Sequence, residues 1–328
     1  MKALIIGGTQ FIGRHLVNSL LKAGHEVAVL HRRGDHDLGK KVLNLQADRG
    51  DAAQMKAVLA GQQFDIVFDN AYDWERGTTP AHVEASVKAC GDHLHRYVFM
   101  SSVAAYGDGL NHHEGDALAP DNHPDPYIRN KACSERLLFR MHQRYGTPVV
   151  TLRPPYLYGP GNPFYREQFF WDRLRDKRPL ILPGDGRRLM QFAYIRDVVW
   201  ACIRVLDVPA AIGHAFNIAN ARPVTQAEVI EAFASASGKR DSQVVRIPRD
   251  RIHRLGGHPM GPQLYFGVYF DLPPITMVIS KAQRVLGLKP TPFDQGLKET
   301  YRWYVKHHEG PKPDYDFENK LLTIAQAS

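Results

Sequence analysis

A serine, a tyrosine and a lysine are the residues of this sequence best suited to acid–base chemistry: Ser102, Tyr127 and Lys131. Tyr127 and Lys131 are four residues apart, so in a helix they share one face. A phenol is normally a poor base because its pKa is about 10. A neighbouring ammonium group stabilises the phenolate, which would let Tyr127 exchange a proton with a substrate hydroxyl or carbonyl near neutral pH. Ser102 can donate a hydrogen bond to the same substrate oxygen.

These side chains need a sheet edge to hold them. Ser101 and Ser102 directly follow a predicted strand at 96–100, and ligands of an open α/β sheet bind at the carboxyl ends of its strands. Three further residues follow the preceding predicted strand in the same way: Asn70, Ala71 and Tyr72. We expect the first two to flank a cofactor and the third to face the substrate.

A glycine-rich turn, GGTQFIG at 7–13, separates the first predicted strand from the first predicted helix. Glycines allow a tight turn and let backbone N–H groups approach a pyrophosphate at the helix N-terminus, where the dipole favours negative charge. Such a turn can also simply connect two elements, but its place in a strand–turn–helix unit favours a dinucleotide. The expected cofactor contacts in this turn are Gly7, Thr9, Gln10, Phe11, Ile12 and Gly13.

The end of the second strand indicates which dinucleotide binds. An acidic residue there would bind the ribose hydroxyls of NAD, whereas this sequence has His31, Arg32 and Arg33. Arginines suit a 2′-phosphate, so the sequence favours NADP, although a solvated basic loop has the same composition. Asp48 and Arg49, after the third strand, are positioned to border the adenine or to form a surface turn.

Short apolar runs alternate with helical patterns in the first half of the chain. Strands are predicted at 2–6, 26–30, 42–46, 64–68, 96–100 and 149–152. Helices are predicted at 11–23, 52–59, 80–90 and 127–145. Strands that alternate with helices at short spacing form parallel sheets. We therefore predict an α/β fold, a Rossmann-type doubly wound parallel sheet with a smaller C-terminal substrate lobe.

The alternation of strands and helices becomes irregular after the sixth strand, and we place the predicted domain boundaries from that change. An NAD(P)-binding domain takes 1–160 with about 187–222, and the substrate lobe takes about 161–186 and 223–308. Thr225, followed three residues later by Glu228, predicts a capping box that opens a helix. The polar residues 309–328 are predicted to be a poorly ordered tail. A basic helix with a mostly solvated face is predicted from Arg166, Arg173, Arg175 and Lys177.

Composition limits the class of protein. The 328 residues are 44% hydrophobic and 23% charged, as in a soluble globular enzyme. The three cysteines are far apart, which argues against a disulfide framework or a cysteine zinc site and fits a reducing cytoplasm. No apolar run approaches the roughly 18 residues of a membrane span, and none of the 16 histidines has a zinc-motif spacing, so we expect neither membrane nor metal. The net charge of +8 suggests an anionic partner.

Six motifs together carry a resemblance that covers roughly 1–305: GGTQFIG at 7–13, SSVAAYG at 101–107, YIRNK at 127–131, LRPPYLYGPGN at 152–162, FAYIRDVVWA at 192–201 and FNIANARPVT at 216–225. The chain resembles an extended short-chain dehydrogenase/reductase of the NAD-dependent epimerase/dehydratase family. The resemblance implies that Ser102, Tyr127 and Lys131 are the catalytic set. It also implies that Tyr127 is the acid/base, that Lys131 binds the nicotinamide ribose and lowers the Tyr127 pKa, and that hydride transfer is the first step.

Several positions depart from that family. Gln10 stands where the family usually has glycine, and His31 where sugar-nucleotide epimerases usually have aspartate. Tyr156 stands in place of an asparagine near the substrate. Met190 stands in place of an arginine for the nucleotide diphosphate, which Arg187 and Arg188 just upstream could replace. The glycine loop and 158–178 are closer to a branch that includes chloroplast stem-loop RNA-binding proteins; that branch tends to lose the catalytic tyrosine, which this chain keeps.

The candidate site is completed by residues near these motifs. Pro154 is expected beside the nicotinamide, although core packing explains it equally well, and Ser101 beside the cofactor. The candidate substrate contacts are Tyr72, Ser102, Val103, His113, Tyr156, Arg187 and Arg188.

The leading hypothesis is an NAD(P)-dependent, epimerase/dehydratase-like oxidoreductase acting on a hydroxyl or keto carbon of a sugar or sugar nucleotide. An NADPH-dependent ketone or aldehyde reductase of the same fold is the alternative. An RNA-binding protein on a dehydrogenase scaffold is the alternative of another class, and nucleic acid is the less favoured partner because the basic residues are scattered. A homodimer through 80–90 and 127–145 is expected.

Overall fold

The computed structural model describes residues 1–91, 93–308 and 312–326. They form two compact units. The first comprises Met1–Pro155, Ile195–Ala219 and Met277–Pro290, and the second comprises Tyr156–Tyr194, Asn220–Thr276 and Thr291–Ser328.

The strands are, in chain order, β1 (Lys2–Ile6), β2 (Glu26–His31), β3 (Val42–Gln46), β4 (Ile66–Asp69), β5 (Arg96–Met100), β6 (Gly109–His112), β7 (Val149–Arg153), β8 (Tyr156–Tyr158), β9 (Leu180–Pro183), β10 (Leu189–Met190), β11 (Phe192–Tyr194), β12 (His214–Asn217), β13 (Val224–Thr225), β14 (Val244–Ile247) and β15 (Ile275–Met277). The helices are α1 (Phe11–Lys22), α2 (Ala52–Leu59), α3 (Pro80–Cys90), α4 (Pro126–Tyr145), α5 (Glu167–Arg175), α6 (Ile195–Arg204), α7 (Gln226–Ala236), α8 (Arg249–Arg254), α9 (Phe293–His307) and α10 (Asp316–Gln326).

A seven-stranded parallel sheet organises the first unit, in the order β12-β7-β5-β4-β1-β2-β3. Its central strands are largely apolar, as expected where helices cover both faces; every residue of β1 and β4 except Lys2 is buried. The strand order reverses between β1 and β4, and this switch point is where an open sheet of this kind forms a ligand crevice. The predicted Rossmann-type fold is confirmed.

Helix α4 begins one residue before Tyr127, and local sequence explains why. The carboxylate of Asp125 accepts hydrogen bonds from the backbone N–H groups of Tyr127 (2.8 Å) and Ile128 (3.2 Å). Pro126 occupies the first turn, where a missing N–H costs nothing, and Gly146 ends the helix in a left-handed conformation. Tyr127 and Lys131 therefore lie on successive turns of one face.

The second unit has its own aromatic core. Phe170 of α5 stacks on Phe233 of α7, with ring centroids 4.7 Å apart, and Trp171 packs edge-on against Phe233. The predicted capping box is confirmed: the backbone N–H of Glu228 donates to Thr225 Oγ1 (3.2 Å), and that of Thr225 donates to Glu228 Oε2 (2.7 Å).

Two predictions for the second unit need correction. The predicted poorly ordered tail at 309–328 contains a helix, α10. This helix is held in place by two buried side chains, Glu318, which pairs with Arg173 (2.6 and 2.8 Å), and Leu321. Residues 309–311, 327 and 328 lie outside the described residues. The prediction of a solvated basic face holds for Arg175 and Lys177, which are exposed, and is wrong for the other two: Arg173 is 3% exposed and Arg166 packs on the rings of Phe164 and Tyr269.

The segment Met277–Pro290, which the sequence assigned to the substrate lobe, belongs to the first unit. The backbone N–H of Val278 donates to the His112 carbonyl (2.9 Å), and the Val278 carbonyl accepts from Asn217 Nδ2 (3.1 Å). These are long-range contacts that no local pattern reveals. In the part of the chain that the structure describes, no helix has both the length and the apolar character needed to span a membrane.

Candidate active site

The glycine turn is too tight for other residues at three positions. Gly7 has a φ of +85°, a conformation that favours glycine. A Cβ on Gly13 would lie 2.2 Å from the Gly7 carbonyl oxygen, and one on Gly8 would lie 2.3 Å from Val29 Cγ1. Gln10, which replaces the usual glycine, is the exposed N-cap residue of α1 and its side chain makes no capping hydrogen bond. The backbone at the N-terminus of α1 thus forms a cradle that fits a pyrophosphate.

The basic residues at the end of β2 differ in their surroundings. Arg33 is exposed, and Arg32 is exposed except for a 3.5 Å contact between Nη1 and Asp73 Oδ2. Burial lowers the pKa of His31.

Asp48, after β3, accepts hydrogen bonds from the Gly50 backbone N–H (2.9 Å) and from Arg76 Nη2 (2.7 Å), and these contacts lower its pKa.

Arg49 is placed differently from the other expected cofactor residues. Its guanidinium is buried and pairs with Asp69 at the end of β4, with an Nη2–Oδ2 distance of 2.9 Å, and it also donates to the Ala71 carbonyl (3.0 Å). Tyr97 donates to the same carboxylate at 2.7 Å. Arg49 therefore ties the loop after β3 to the loop after β4 from inside the unit, and its charge is neutralised there.

Asn70 and Ala71, which the sequence predicts to flank a cofactor, lie beside the glycine turn. A Cβ on Gly7 would be 3.0 Å from the Cβ of Ala71. The Nδ2 atom of Asn70 is buried with no partner within the described residues. A buried donor without a partner is costly, so this amide is suited to a bound polar group. The cradle and the unpaired amide together fit a dinucleotide.

The serines after β5 have separate roles. Ser101 Oγ donates to Glu135 Oε1, so it is held inside the unit. Ser102 Oγ accepts from the Ala104 backbone N–H at 3.2 Å, capping the short helix Val103–Tyr106, and its O–H remains available as a donor. The Val103 backbone N–H donates to the carbonyl of the buried Pro154 at 3.0 Å.

Lys131 is a buried ammonium beside aromatic rings. It is 5% exposed, and Nζ donates to the Met100 carbonyl at 2.6 Å. Nζ lies 5.8 Å from the ring centroid of Tyr127 and 5.3 Å from that of Tyr72, distances at which a cation and a π-system attract. Burial lowers the Lys131 pKa to about 8, and the nearby carboxylates oppose that effect.

Tyr127 lies in an aromatic cluster at the start of α4. The Tyr72 ring meets it edge-on at 4.7 Å, and the Trp74 ring stacks on it at 5.0 Å with an interplanar angle of 21°. The sequence identified Tyr72 as a substrate contact but not Trp74. The structure thus brings Tyr72, Tyr127 and Lys131 together.

The remaining candidate substrate residues differ from one another in exposure and in their partners. His113 is exposed. In the second unit, the Tyr156 hydroxyl donates to the Tyr269 carbonyl at 2.9 Å, and burial raises its pKa to about 12. Arg187 is exposed, whereas Arg188 is paired with Asp271, with an Nη1–Oδ1 distance of 3.0 Å. Arg188 therefore reaches an anion only in competition with that carboxylate.

Sequence reasoning missed Glu135, the buried carboxylate that holds Ser101 through a hydrogen bond. Glu135 is fully buried on α4, one turn beyond Lys131, and it accepts from Thr151 Oγ1 (2.9 Å) and from Arg153 (2.7 Å) as well as from Ser101. The signal was present as a carboxylate four residues after Lys131 on the same face. Its meaning depends on β7, which supplies the partners.

Comparison with known proteins gives the family. The model of the NAD dependent epimerase/dehydratase family matches residues 3–219. This chain belongs to that family. It is 31% identical to the chloroplast stem-loop binding protein of 41 kDa b of Arabidopsis thaliana, over 92% of this chain and 78% of that protein. It is 25% identical to a trifunctional UDP-glucose 4,6-dehydratase/epimerase/reductase of the same plant, over 93% of this chain but only 47%, about half, of the relative.

A solved structure shows the same fold. The chain superposes on dTDP-glucose 4,6-dehydratase of Bacillus anthracis, determined in complex with NAD, with a TM-score of 0.76 at 20% identity, covering 95% of this chain and 99% of that one. The predicted family resemblance, including its branch, is confirmed. The family is one of NAD-dependent epimerases and dehydratases.

Proposed function

We propose that this family member is an NAD(P)-dependent oxidoreductase that acts on a hydroxyl or keto carbon of a sugar nucleotide, with Tyr127 as the acid/base. The observation that carries the proposal is the buried Lys131 ammonium, 5.8 Å from the Tyr127 ring centroid, in the same unit as a glycine cradle that fits a dinucleotide. A cation in that position stabilises phenolate, the form that Tyr127 needs to accept a proton.

The residues have distinct tasks in this proposal. The nicotinamide coenzyme, when bound, accepts or supplies the hydride at the substrate carbon. Tyr127 takes the proton of the substrate hydroxyl as the C–H bond of that carbon breaks, so that C–O becomes C=O. Ser102 donates a hydrogen bond to the same oxygen, and Lys131 stabilises the phenolate and binds the ribose. Epimerisation and dehydration differ in what happens to the keto intermediate after this oxidation. Ketone reduction runs the step in reverse: Tyr127 gives its proton to the carbonyl oxygen as the carbon receives hydride, so that C=O becomes C–OH. All three reactions use the same residues.

The test is Tyr127→Phe, with Tyr145→Phe as the control. Tyr145 ends the same helix and is 67% exposed. Turnover of UDP-glucose or dTDP-glucose should fall about 10²- to 10⁴-fold in Tyr127→Phe, with coenzyme affinity nearly unchanged. The control should match the wild type. Unchanged turnover in Tyr127→Phe would rule out this tyrosine as the acid/base.

We further propose NADP as the coenzyme, because β2 ends without a carboxylate and Arg32 and Arg33 are exposed beside it. The double substitution Arg32→Ala/Arg33→Ala should weaken NADPH binding more than NADH binding, measured by nucleotide fluorescence. Equal losses would remove the preference. We also propose a homodimer through α3 and α4, which sedimentation of Leu137→Glu, a partly buried residue of α4, would test by yielding a monomer.

RNA binding is the second candidate function, because the relative at 31% identity is a stem-loop binding protein and the net charge here is +8. RNA affinity at micromolar level or tighter, with a steep salt dependence, would favour it. If the protein binds RNA but binds neither NADH nor NADPH, RNA binding replaces the oxidoreductase proposal.

A further inference from the structure

The loop between β4 and α3 places an exposed indole on the ring of the proposed acid/base. Trp74 is 56% exposed, although it stacks on Tyr127 at 5.0 Å and meets Tyr72 edge-on at 5.0 Å. Ligand sites are lined mostly by apolar and aromatic side chains around a few polar groups, and Trp74 lies in such a setting, beside the rings of Tyr127 and Tyr72 and close to the Lys131 ammonium that faces them. The position is the carboxyl edge of the sheet, where ligands of this fold bind.

Hydrogen bonds of Asp73 hold this loop in one shape. Its carboxylate Oδ1 accepts from the backbone N–H groups of Glu75 and Arg76, both at 3.0 Å, and its own N–H donates to Thr78 Oγ1 at 2.9 Å. The Arg76 guanidinium also bridges Asp73 (2.9 Å) and Asp48 (2.7 Å). Trp74 therefore lies in a turn that hydrogen bonds and ion pairs fix in place. A pre-organised surface of this kind loses little conformational entropy when a ligand covers it.

We propose that Trp74 is a substrate-binding residue whose exposed face receives the apolar C–H face of the sugar ring of a sugar nucleotide. This rests on the proposed function and names the residue that selects the sugar part of the substrate. A pyranose has C–H groups on its faces and hydroxyls at its rim, so an indole can cover a face while the rim stays free for Ser102 and Tyr127. The stack of Trp74 on Tyr127 sets that face next to the phenol that exchanges the proton.

The chemistry selects against other occupants of the same surface. A flexible alkyl ketone has no flat face to match an indole, and it would gain only the area that it buries. A pyranose ring is rigid, so less conformational freedom is lost when an indole covers its face than when it orders a flexible chain. We therefore expect Trp74 to discriminate cyclic from linear substrates, and Tyr72 to support it from the edge.

Binding is tested in the Tyr127→Phe background, where turnover does not obscure affinity, with NADP⁺ or NAD⁺ saturating and UDP-glucose or dTDP-glucose titrated by calorimetry. Trp74→Ala should weaken sugar-nucleotide binding about 10- to 100-fold, and Trp74→Phe, which keeps a stacking ring, less than about 5-fold. Trp200→Ala is the matched control, since Trp200 is also exposed, at 38%, and lies on α6. Coenzyme affinity should be the same in all variants.

Kinetics in the otherwise wild-type chain separate binding from positioning. Trp74→Ala should raise KM and leave kcat within about 3-fold. A loss confined to kcat, or an unchanged affinity in Trp74→Ala, would overturn the inference while the proposed function stands. Coenzyme binding without affinity for either sugar nucleotide would also overturn it. Absence of both coenzyme binding and turnover would refute the proposed function, and this inference with it.

Discussion

Lys131 should make the stability of this protein depend on pH in a way that one substitution removes. Its amine is buried, and burial lowers its pKa from 10.5 to about 8, against the opposing effect of Asp69 and Glu135. That difference corresponds to about 3 kcal/mol of free energy spent on keeping the amine protonated in the folded chain. The site thus carries a charged group at a cost, as sites that need a particular protonation state do.

The direction follows from proton binding. Between about pH 8 and 10.5 the unfolded chain holds a proton on Lys131 that the folded chain has released. Stability rises with pH wherever the unfolded state binds more protons, so this group destabilises the fold most below pH 8, and the penalty fades as pH approaches 10.5. From about pH 7 to about pH 10, Lys131 alone should raise the free energy of unfolding by about 2.5 kcal/mol.

The substitution is Lys131→Met, compared with the wild type by urea unfolding followed by circular dichroism at both pH values. Methionine leaves the Met100 carbonyl without the donor that Lys131 supplies at 2.6 Å, a loss of about 1–3 kcal/mol that does not vary with pH. Groups away from the site titrate alike in both proteins, and repeating the pair in the Tyr127→Phe background removes the titration of the phenol that Lys131 is proposed to stabilise. The difference between the two proteins therefore isolates Lys131.

The expected result is a wild-type chain that gains about 2.5 kcal/mol relative to Lys131→Met between the two pH values. Parallel pH curves, within about 0.5 kcal/mol, would falsify the view that a buried, charged amine stands beside Tyr127. Lys131→Arg, which keeps a charge that does not titrate in this range, should also show no gain with pH and so serves as a second control.

Two further substitutions test the cradle and the second unit. Gly13→Ala should weaken NADPH binding at least about 10-fold, because its Cβ would meet the Gly7 carbonyl at 2.2 Å; Gly115→Ala, where a Cβ meets no described atom within 4 Å, is the control for coenzyme binding, and equal affinities in the two variants would contradict the tight-turn account. Glu318→Gln should lower the free energy of unfolding by about 3 kcal/mol, because it leaves the buried Arg173 guanidinium uncompensated; urea unfolding of the full chain measures it, and a change below about 1 kcal/mol would mean that α10 contributes little.

The elements that sequence predicted well are those with local causes. The apolar runs of the sheet, the glycine turn, and helix α4, predicted at 127–145 and found at Pro126–Tyr145, depend on residues within a few positions of one another. Tyr127 and Lys131 meet because helical spacing brings them together. The capping box at Thr225 and Glu228 is of the same kind.

The features that sequence missed depend on partners far along the chain. Arg49 looks like a surface residue until Asp69, twenty positions later, buries its charge. Arg173 looks like part of a solvated face until Glu318 of α10 pairs with it, 145 positions away. In both cases the side chain is the same in either setting, and only the packing decides whether it meets water or a carboxylate.

The features of the candidate site also divide into those that the sequence predicts and those that depend on tertiary structure. Residue types and spacing were enough to propose the chemistry, because a phenol, an ammonium four residues on and a glycine turn at a strand end have few other joint uses. Tertiary structure alone decided the surroundings that tune that chemistry: the burial that lowers the Lys131 pKa, and the stack of Trp74 on Tyr127, which joins a loop to a helix 53 positions later. Desolvation and ring contacts depend on distances in space, and spacing along a chain does not set those distances.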